Sequence, residues 1–370
     1  LTRTTIVSPQ FEASRARLGV LPGTSISIRT WEEGGSAYKV VREVLDTPWA
    51  GPDDGKTGLT NGGGGHGGGG GGGGGDGGHG GHGGDGGKDR KPKDPTRIYI
   101  DTDMRQFIAH GLTTELERSN NRFVEIANRA VRQLRILKTD HEIEILRCVS
   151  QTTVNVIRAV KDKISVGMRE SDVQELLTLA YEASGLVYDD GGSLVLFGKD
   201  AALPHGSGNN TKLEKGMMVL IDSGAILHGY LSDITRTFWI SRGSNKELNE
   251  ELDKVWSIVK DAQIAALKAI HPNAACSAID KAARSLIDKE GYGARFTHRL
   301  GHGLGMQGHE EPYLNSGNSD TGLKEGMVFT NEPGIYIEGQ YGIRLEDVVL
   351  VTKDGFEILS GDLAKSPNEP

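Results

Sequence analysis

The chain has 370 residues, with 42 Lys and Arg against 50 Asp and Glu, a formal charge of −8 and a hydrophobic fraction of 36%. That length supports two ordinary domains with cores of their own. The interspersed charge offers no broad basic face for nucleic acid, and no apolar run reaches the roughly 18–20 residues of a membrane span, so neither is expected as a partner.

In chain order, Leu1-Thr2-Arg3-Thr4-Thr5 is neither a start methionine nor a secretory leader, so a processed form or a fragment is expected. Ser8-Pro9 reads as an N-cap with proline at the first helical position, and Thr24 to Ile28 alternates as a strand. Gly62 to Gly87 holds 21 of the 54 glycines, broken only by His66, Asp76, His79, His82 and Asp85. Such a tract has nothing to bury and maximal backbone entropy to lose, which predicts a disordered insertion over about 61–93. Weak metal binding by its histidines is set against an inert linker, and the linker is preferred. Arg97 to Asp101 predicts a strand and Met104 to Gly111 a short helix, giving a small α/β domain over 1–137. Cys148 and Cys276, far apart and without metal-type spacing, suit a reducing compartment and hence the cytoplasm.

A second domain, 138–370, opens at Thr139-x-x-Glu142, a capping box whose helix keeps Ile143, Leu146, Val149, Thr153, Val156 and Val160 on one face. Ser171-x-x-Gln174 predicts the cap of a second helix burying Val173, Leu176, Leu177 and Ala180. Ser244-x-x-Glu247 starts a third, and a fourth ends before Gly291, a C′ glycine. Two segments 110 residues apart repeat nearly the same text. Leu213 to Gly224 (turn, apolar strand, Asp222, glycine) aligns with Leu323 to Gly334, where Glu332 takes the place of Asp222. Each copy follows two helices and precedes a strand with a further acid, Asp233 or Glu346. The expectation is a pseudo-twofold α/β domain whose four carboxylates meet at the centre.

Carboxylates crowded together raise one another's proton affinity and are costly unless cations neutralise them. Asp222 and Asp233 are expected to meet across a turn near Leu227-His228-Gly229, and Glu332 and Glu346 across one near Glu338-Gly339-Gln340. His302 is a fifth candidate; oxygen-rich ligation with one imidazole suits Mn²⁺, Co²⁺ or Zn²⁺ at two sites sharing carboxylates. Gly303-x-Gly305-x-x-Gly308 satisfies the dinucleotide fingerprint literally, but Glu310-Glu311-Pro312 follows where that fingerprint needs a helix, so nucleotide binding is rejected.

Asp222-Ser-Gly, Ser232-Asp233-Ile-Thr235-Arg236-Thr237, His298-x-x-x-His302-Gly303-x-Gly305, Asn331-Glu332-Pro333-Gly334 and Arg344-Leu345-Glu346-Asp347 together resemble the pita-bread metallopeptidases: aminopeptidase P, prolidase, methionine aminopeptidase and creatinase. The junction Arg135-x-x-Lys138-x-x-x-Glu142-Ile143 is similar too, and the likeness covers nearly all of 135–352. It implies a pita-bread α/β (α+β) catalytic domain after a truncated creatinase-type N-terminal domain.

The resemblance also implies the site. Two divalent ions, Mn²⁺ favoured over Co²⁺ or Zn²⁺, would be bridged by Asp233 and Glu346. Asp222 would complete one position, and His302 with Glu332 the other. Glu332 would accept a proton from a metal-bridging hydroxide's parent water. His205 and His309 match the catalytic histidines of the proline-specific members, His298 a histidine beside the substrate's proline ring, and Arg344 an arginine orienting His309 or an acidic ligand. The substrate implied is a peptide with proline at its second position, cut at the Xaa-Pro bond, with aminopeptidase and dipeptidase activity both open. The alternatives are a non-catalytic, metal-containing binding or scaffold protein on this fold and an aminopeptidase of other specificity. A homodimer is left open.

Overall fold

The computed structural model describes residues 4–9, 26–31, 36–47, 96–101, 104–117, 122–189, 193–204 and 208–370. The glycine tract, any helix following Ser8-Pro9, and His205 lie outside the described residues. The chain divides into two compact units, Leu1–Asn128 and Arg129–Pro370. That division precedes the boundary read from the sequence at Leu137, so the helix just before it falls in the second unit.

In the first unit, β1 (Thr4–Pro9) pairs in parallel with β2 (Ile26–Trp31), followed by α1 (Ala37–Asp46). Ser8 and Pro9 therefore end a strand rather than cap a helix. β3 (Thr96–Ile100) and β4 (Arg122–Ile126) form a second parallel pair, joined through α2 (Gln106–Glu117) as a βαβ crossover. The helix expected to end at Gly111 runs on past it. An added Cβ at Gly111 would overlap the Tyr38 ring, so this glycine serves close packing of α1 on α2 and not termination.

The second unit begins with α3 (Arg129–Ile136) and α4 (Asp140–Lys161). The α4 cap forms as expected: the Thr139 hydroxyl accepts from the Glu142 N–H, and Glu142 accepts from the Thr139 N–H at 2.7 Å. α5 (Glu170–Ala183) starts earlier than Ser171-x-x-Gln174 predicts. The Arg169 N–H is capped by Asp172 at 2.8 Å, while Glu170 is buried and accepts the Phe197 and Thr211 N–H groups, which draws the helix start forward. α6 (Lys246–Ala269) is capped by Asn245 rather than Ser244, and α7 (Cys276–Lys289) ends before Gly291 at φ +87°. No helix of the described residues is long and apolar enough to cross a membrane.

The strands follow the repeat. The first half contains β5 (Val187–Tyr188), β6 (Leu194–Phe197), β7 (Met218–Ser223), β8 (Ala225–Leu227), β9 (Tyr230–Leu231) and β10 (Ile234–Trp239), with β7 between β6 and β10. The second contains β11 (Gly301–Gly303), β12 (Glu310–Leu314), β13 (Val328–Asn331), β14 (Gly334–Ile337), β15 (Tyr341–Arg344), β16 (Asp347–Thr352) and β17 (Gly355–Ile358), in the order β12-β11-β13-β16-β17 with β14-β15 as a separate hairpin.

The two halves repeat down to single hydrogen bonds. Gly216 (φ +89°) and Gly326 (φ +85°) occupy the left-handed turn before β7 and β13, and their N–H groups donate to Ser241 and Val351. Leu213 and Leu323 each donate, at 2.8 Å, to Met168 and Ala274 just outside the preceding helix. Two apolar clusters hold these layers. Leu146, Val149 and Ile157 of α4 pack with Val219, Ile221 and Phe238, and Val255, Val259 and Ala262 of α6 pack with Phe329, Val349 and Val351. Along β16, Val348 and Leu350 join the first cluster and Val349 and Val351 the second, the period-2 pattern of a strand buried on both faces.

Candidate metal centre

Strand geometry converges the five expected ligands. Asp222, near the end of β7, pairs with Thr235 of β10, and Asp233 immediately precedes β10. The connecting β8-β9 hairpin turns at His228 (φ +51°) and Gly229 (φ +85°), the paired left-handed residues that match strand twist in a two-residue loop. In the other half, Glu332 follows β13 and Glu346 precedes β16, with the β14-β15 hairpin turning at Gly339 (φ +76°). His302 is central in β11, between Gly301 and Gly303. Side chains at those glycines would overlap the Thr330 and Glu311 carbonyls, so both permit the close approach that presents the imidazole.

Ligand atoms of Asp222, Asp233 and Glu346 lie within 4.8 Å of one another, and so do those of His302, Glu332 and Glu346. Glu346 is common to both groups. A third set, Asp233, His302 and His309, meets the same limit. His302 Nε2 stands 3.4 Å from Glu332 Oε1 and 3.6 Å from Asp233 Oδ2.

These residues fit divalent cations on two independent observations. His302 Nδ1 is 3.2 Å from the Gly303 carbonyl, which can only accept, so the proton sits on Nδ1 and the Nε2 lone pair faces two carboxylates. Burial holds this imidazole neutral, pushing it down to about 3. A divalent cation placed between them would be met by these lone pairs. In addition, Asp222 Oδ1 is shielded from solvent and accepts no hydrogen bond. The donor set, carboxylate oxygens with one imidazole, suits Mn²⁺, Co²⁺ or Zn²⁺.

Burial, then Glu346, Asp222 and Glu332, raises the Asp233 carboxyl well above the usual range, and burial with Glu332 and Asp222 does the same to Glu346. Glu332 is pushed up to about 8, by burial first, against the lowering influence of Arg344. A hydrogen-bonded frame fixes the oxygens. Thr235 Oγ1 donates to Glu346 Oε2 at 2.7 Å and accepts from Arg344 Nε at 3.1 Å. Arg344 Nη2 donates to Asp222 Oδ2 at 2.6 Å. Arg344 Nη1 donates to the Tyr336 hydroxyl at 2.8 Å. His298 Nδ1 donates to the Arg299 carbonyl, so Tyr336 in turn donates to His298 Nε2 at 2.9 Å. The His309 ring lies edge-on to His302 with centroids 4.1 Å apart.

Behind this frame, fully buried Arg236 donates to the Glu346 carbonyl at 2.6 Å and pairs with Asp347 at 2.7 Å; Gln263 and Ser360 complete the Asp347 shell. Tyr336, Arg236 and Asp347 were not assigned roles from sequence. The last two stand inside the motifs already singled out, beside Thr235 and Glu346, and that adjacency was the available signal. The junction motif also acquires a purpose: Lys138 Nζ is 2.5 Å from Glu310, next to His309, and Glu142 accepts from Tyr230 at 2.7 Å.

The family model for metallopeptidase family M24 matches residues 144–353. The chain belongs to that family. Among curated proteins it is 40% identical over 278 residues to an uncharacterized peptidase of Schizosaccharomyces pombe, covering 75% of this chain and 59% of the relative. It is 37% identical over 244 residues to an Xaa-Pro dipeptidase of Pyrococcus furiosus, covering 66% and 68%. The chain thus spans less than two thirds of the fission-yeast relative. Among solved M24-like structures, the X-Pro aminopeptidase of Thermotoga maritima superposes with a TM-score of 0.70 at 26% identity, over 97% of this chain and 85% of that one. The Pyrococcus furiosus prolidase gives 0.70 and 26%, over 97% and 87%. M24 metallopeptidases of this kind have the pita-bread fold, which the two matched halves display here.

Proposed function

We propose that this M24 metallopeptidase hydrolyses the bond between an N-terminal residue and a following proline, in dipeptides or longer peptides, with two Mn²⁺ ions as its cofactors. The observation carrying the reading is the meeting of Asp222, Asp233, His302, Glu332 and Glu346 with His298 and His309 beside them. The catalytic unit is assigned to 138–370, and the free thiols Cys148 and Cys276 suit a cytoplasmic enzyme.

Asp233 and Glu346 would help hold both ions, Asp222 one, and His302 with Glu332 the other. Two cations held there would supply Lewis-acid chemistry, lowering the pKa of a bound water and polarising the scissile carbonyl. The remaining work falls to the chain. Glu332, 3.4 Å from His302 Nε2, is assigned to take up the proton released when water adds to the carbonyl. His309, beside His302, is assigned together with His205 to the oxygen on which charge develops, and His298 to the proline ring. A shaped pocket is needed because the Xaa-Pro nitrogen carries no N–H and a rigid ring. Arg344 fixes Asp222 and, through Tyr336, the His298 ring.

Metal-loaded protein incubated with Gly-Pro and with a longer Xaa-Pro peptide tests the reading. Cleavage of at least one, abolished by chelation, is expected. Cleavage of neither at several metal loadings would favour a binding protein on this fold.

A further inference from the structure

The junction between α3 and α4 carries the motif Arg135-x-x-Lys138-x-x-x-Glu142, and its charged side chains all bear on one loop, 304–309, which joins β11 to β12 and ends in His309. Glu310, the first residue of β12, pairs with Gly303 at the foot of this loop. Its carboxylate is buried and takes a cation on each oxygen: Lys138 Nζ at 2.5 Å from Oε1 and Arg135 Nη2 at 3.3 Å from Oε2. The loop closes over the pair at Gly305, where an added Cβ would come 2.8 Å from Glu310 Oε1 and 3.1 Å from Lys138 Cε. From the other side, the Leu231 N–H donates to the Gly305 carbonyl at 2.9 Å, and the adjacent Tyr230 hydroxyl donates to Glu142 at 2.7 Å. Lys138 is itself tied to the second half of the repeat, its N–H donating to the Gly326 carbonyl at 2.8 Å while Leu137 bridges Met327.

Burial pushes the Lys138 ammonium down from its ordinary value, against the raising influence of Glu310. A buried ion pair adds little stability over apolar side chains of like volume, whereas its short directional bonds admit few geometries. The residue immediately before the clamped Glu310 is His309, whose ring lies edge-on to His302 with centroids 4.1 Å apart. We propose that Lys138, acting through Glu310, is a positioning residue for His309: the pair fixes the end of the 304–309 loop and so the place of that imidazole beside the metal centre. This rests on the role assigned to His309 under the Xaa-Pro reading, and it gives the junction motif a part in the reaction although none of its residues belongs to the ligand set.

The test measures turnover of Ala-Pro and Ala-Pro-Ala, metal content and melting temperature for the wild-type protein, Lys138→Met, His309→Ala and their combination. A further variant, Lys138→Met with Glu310→Leu, leaves neither charge of the pair buried. Imidazole Cε1–H signals of the Zn²⁺-loaded proteins are recorded alongside by nuclear magnetic resonance, His309 being assigned by its loss in His309→Ala. Lys138→Met is expected to lower kcat by about 10–100-fold, the scale of a misplaced group, with KM nearly unchanged and metal content that of the wild-type protein. In the His309→Ala background the same substitution should change kcat by less than about twofold, because the histidine through which it acts is gone. The apolar pair should melt close to the wild-type protein and still turn over slowly. Full turnover by the apolar pair, or equal losses from Lys138→Met with and without His309, leaves Lys138 a merely structural role and overturns the proposal. So does loss of metal in Lys138→Met, which transfers its effect to His302. If the wild-type protein cleaves neither peptide, the Xaa-Pro reading fails while the positioning is still decided by the spectra: a His309 signal displaced or broadened in the apolar pair, with the other imidazoles in place, supports it, and an unmoved signal refutes it. Should Lys138→Met fail to fold, the apolar pair with and without His309→Ala decides.

Discussion

Arg236 and Asp347 are both buried, and each has replaced water by a fixed set of partners: the Glu346 and Thr235 carbonyls for the arginine, Gln263 and Ser360 for the aspartate. Breaking such a pair by removing one member leaves the other charge desolvated, which costs about 3–5 kcal/mol. Asp347→Ala should lose stability on that scale in urea denaturation, and Asp347→Asn less. A loss below about 1 kcal/mol, as for an exposed pair, would show that the guanidinium finds water. A pH dependence belongs to Glu332. Its folded-state carboxyl is pushed up to about 8, so metal-free protein holds that proton more tightly folded than unfolded. The stabilisation is complete below the unfolded carboxylate range of about 4–5 and is lost as pH rises toward the folded value. Metal-free protein should therefore melt at a lower temperature at about pH 8 than at about pH 5, and the rise on adding Mn²⁺ should be larger at the higher pH. A melting temperature that climbs over this interval without metal would show that the carboxylates are relieved in another way.

At the level of elements, β11 is the most constrained. Gly301 and Gly303 lie against the Thr330 and Glu311 carbonyls with no space for a methyl group, and His302 stands between them. Gly301→Ala should push β11 off β13, displacing the imidazole. The expected result is weaker metal binding by calorimetry with far-ultraviolet circular dichroism nearly unchanged; unaltered affinity would mean that β13 yields instead. Elements whose cause is local were legible in the sequence. The Thr139-Glu142 box lies within four residues, the Gly291 stop is a single position, and the repeat exposed the glycines at 216 and 326 together with all four carboxylates. What sequence reading missed is set by distant partners. Glu170, buried against the Phe197 and Thr211 amides, moved the start of α5, and Tyr38 explains why α2 passes through Gly111. Tyr336 joins His298 to Arg344 only because β14 and β15 bring 336 and 344 to the same edge, a register no spacing reveals.

Across the catalytic unit, each half of the repeat supplies two carboxylates, so the centre exists only when both halves are folded on each other. Cations binding the folded form alone raise its stability by RT ln(1 + [L]/Kd), about 2.7 kcal/mol at one hundred times Kd. Ligands common to both metal positions should matter most. Asp233→Ala is expected to bind neither ion tightly, whereas Asp222→Ala should retain the position formed by His302, Glu332 and Glu346. Elemental analysis of the two variants checks this, and a full complement of metal in Asp233→Ala would remove that residue from its bridging role. The most direct measurement is turnover of an Xaa-Pro dipeptide by protein stripped with a chelator and titrated with Mn²⁺. The stripped protein should be inactive and regain turnover in proportion to metal bound, while Asp233→Ala stays inactive throughout the titration. Full turnover by rigorously metal-free protein, or none at saturating metal, would contradict a metal-dependent Xaa-Pro hydrolase.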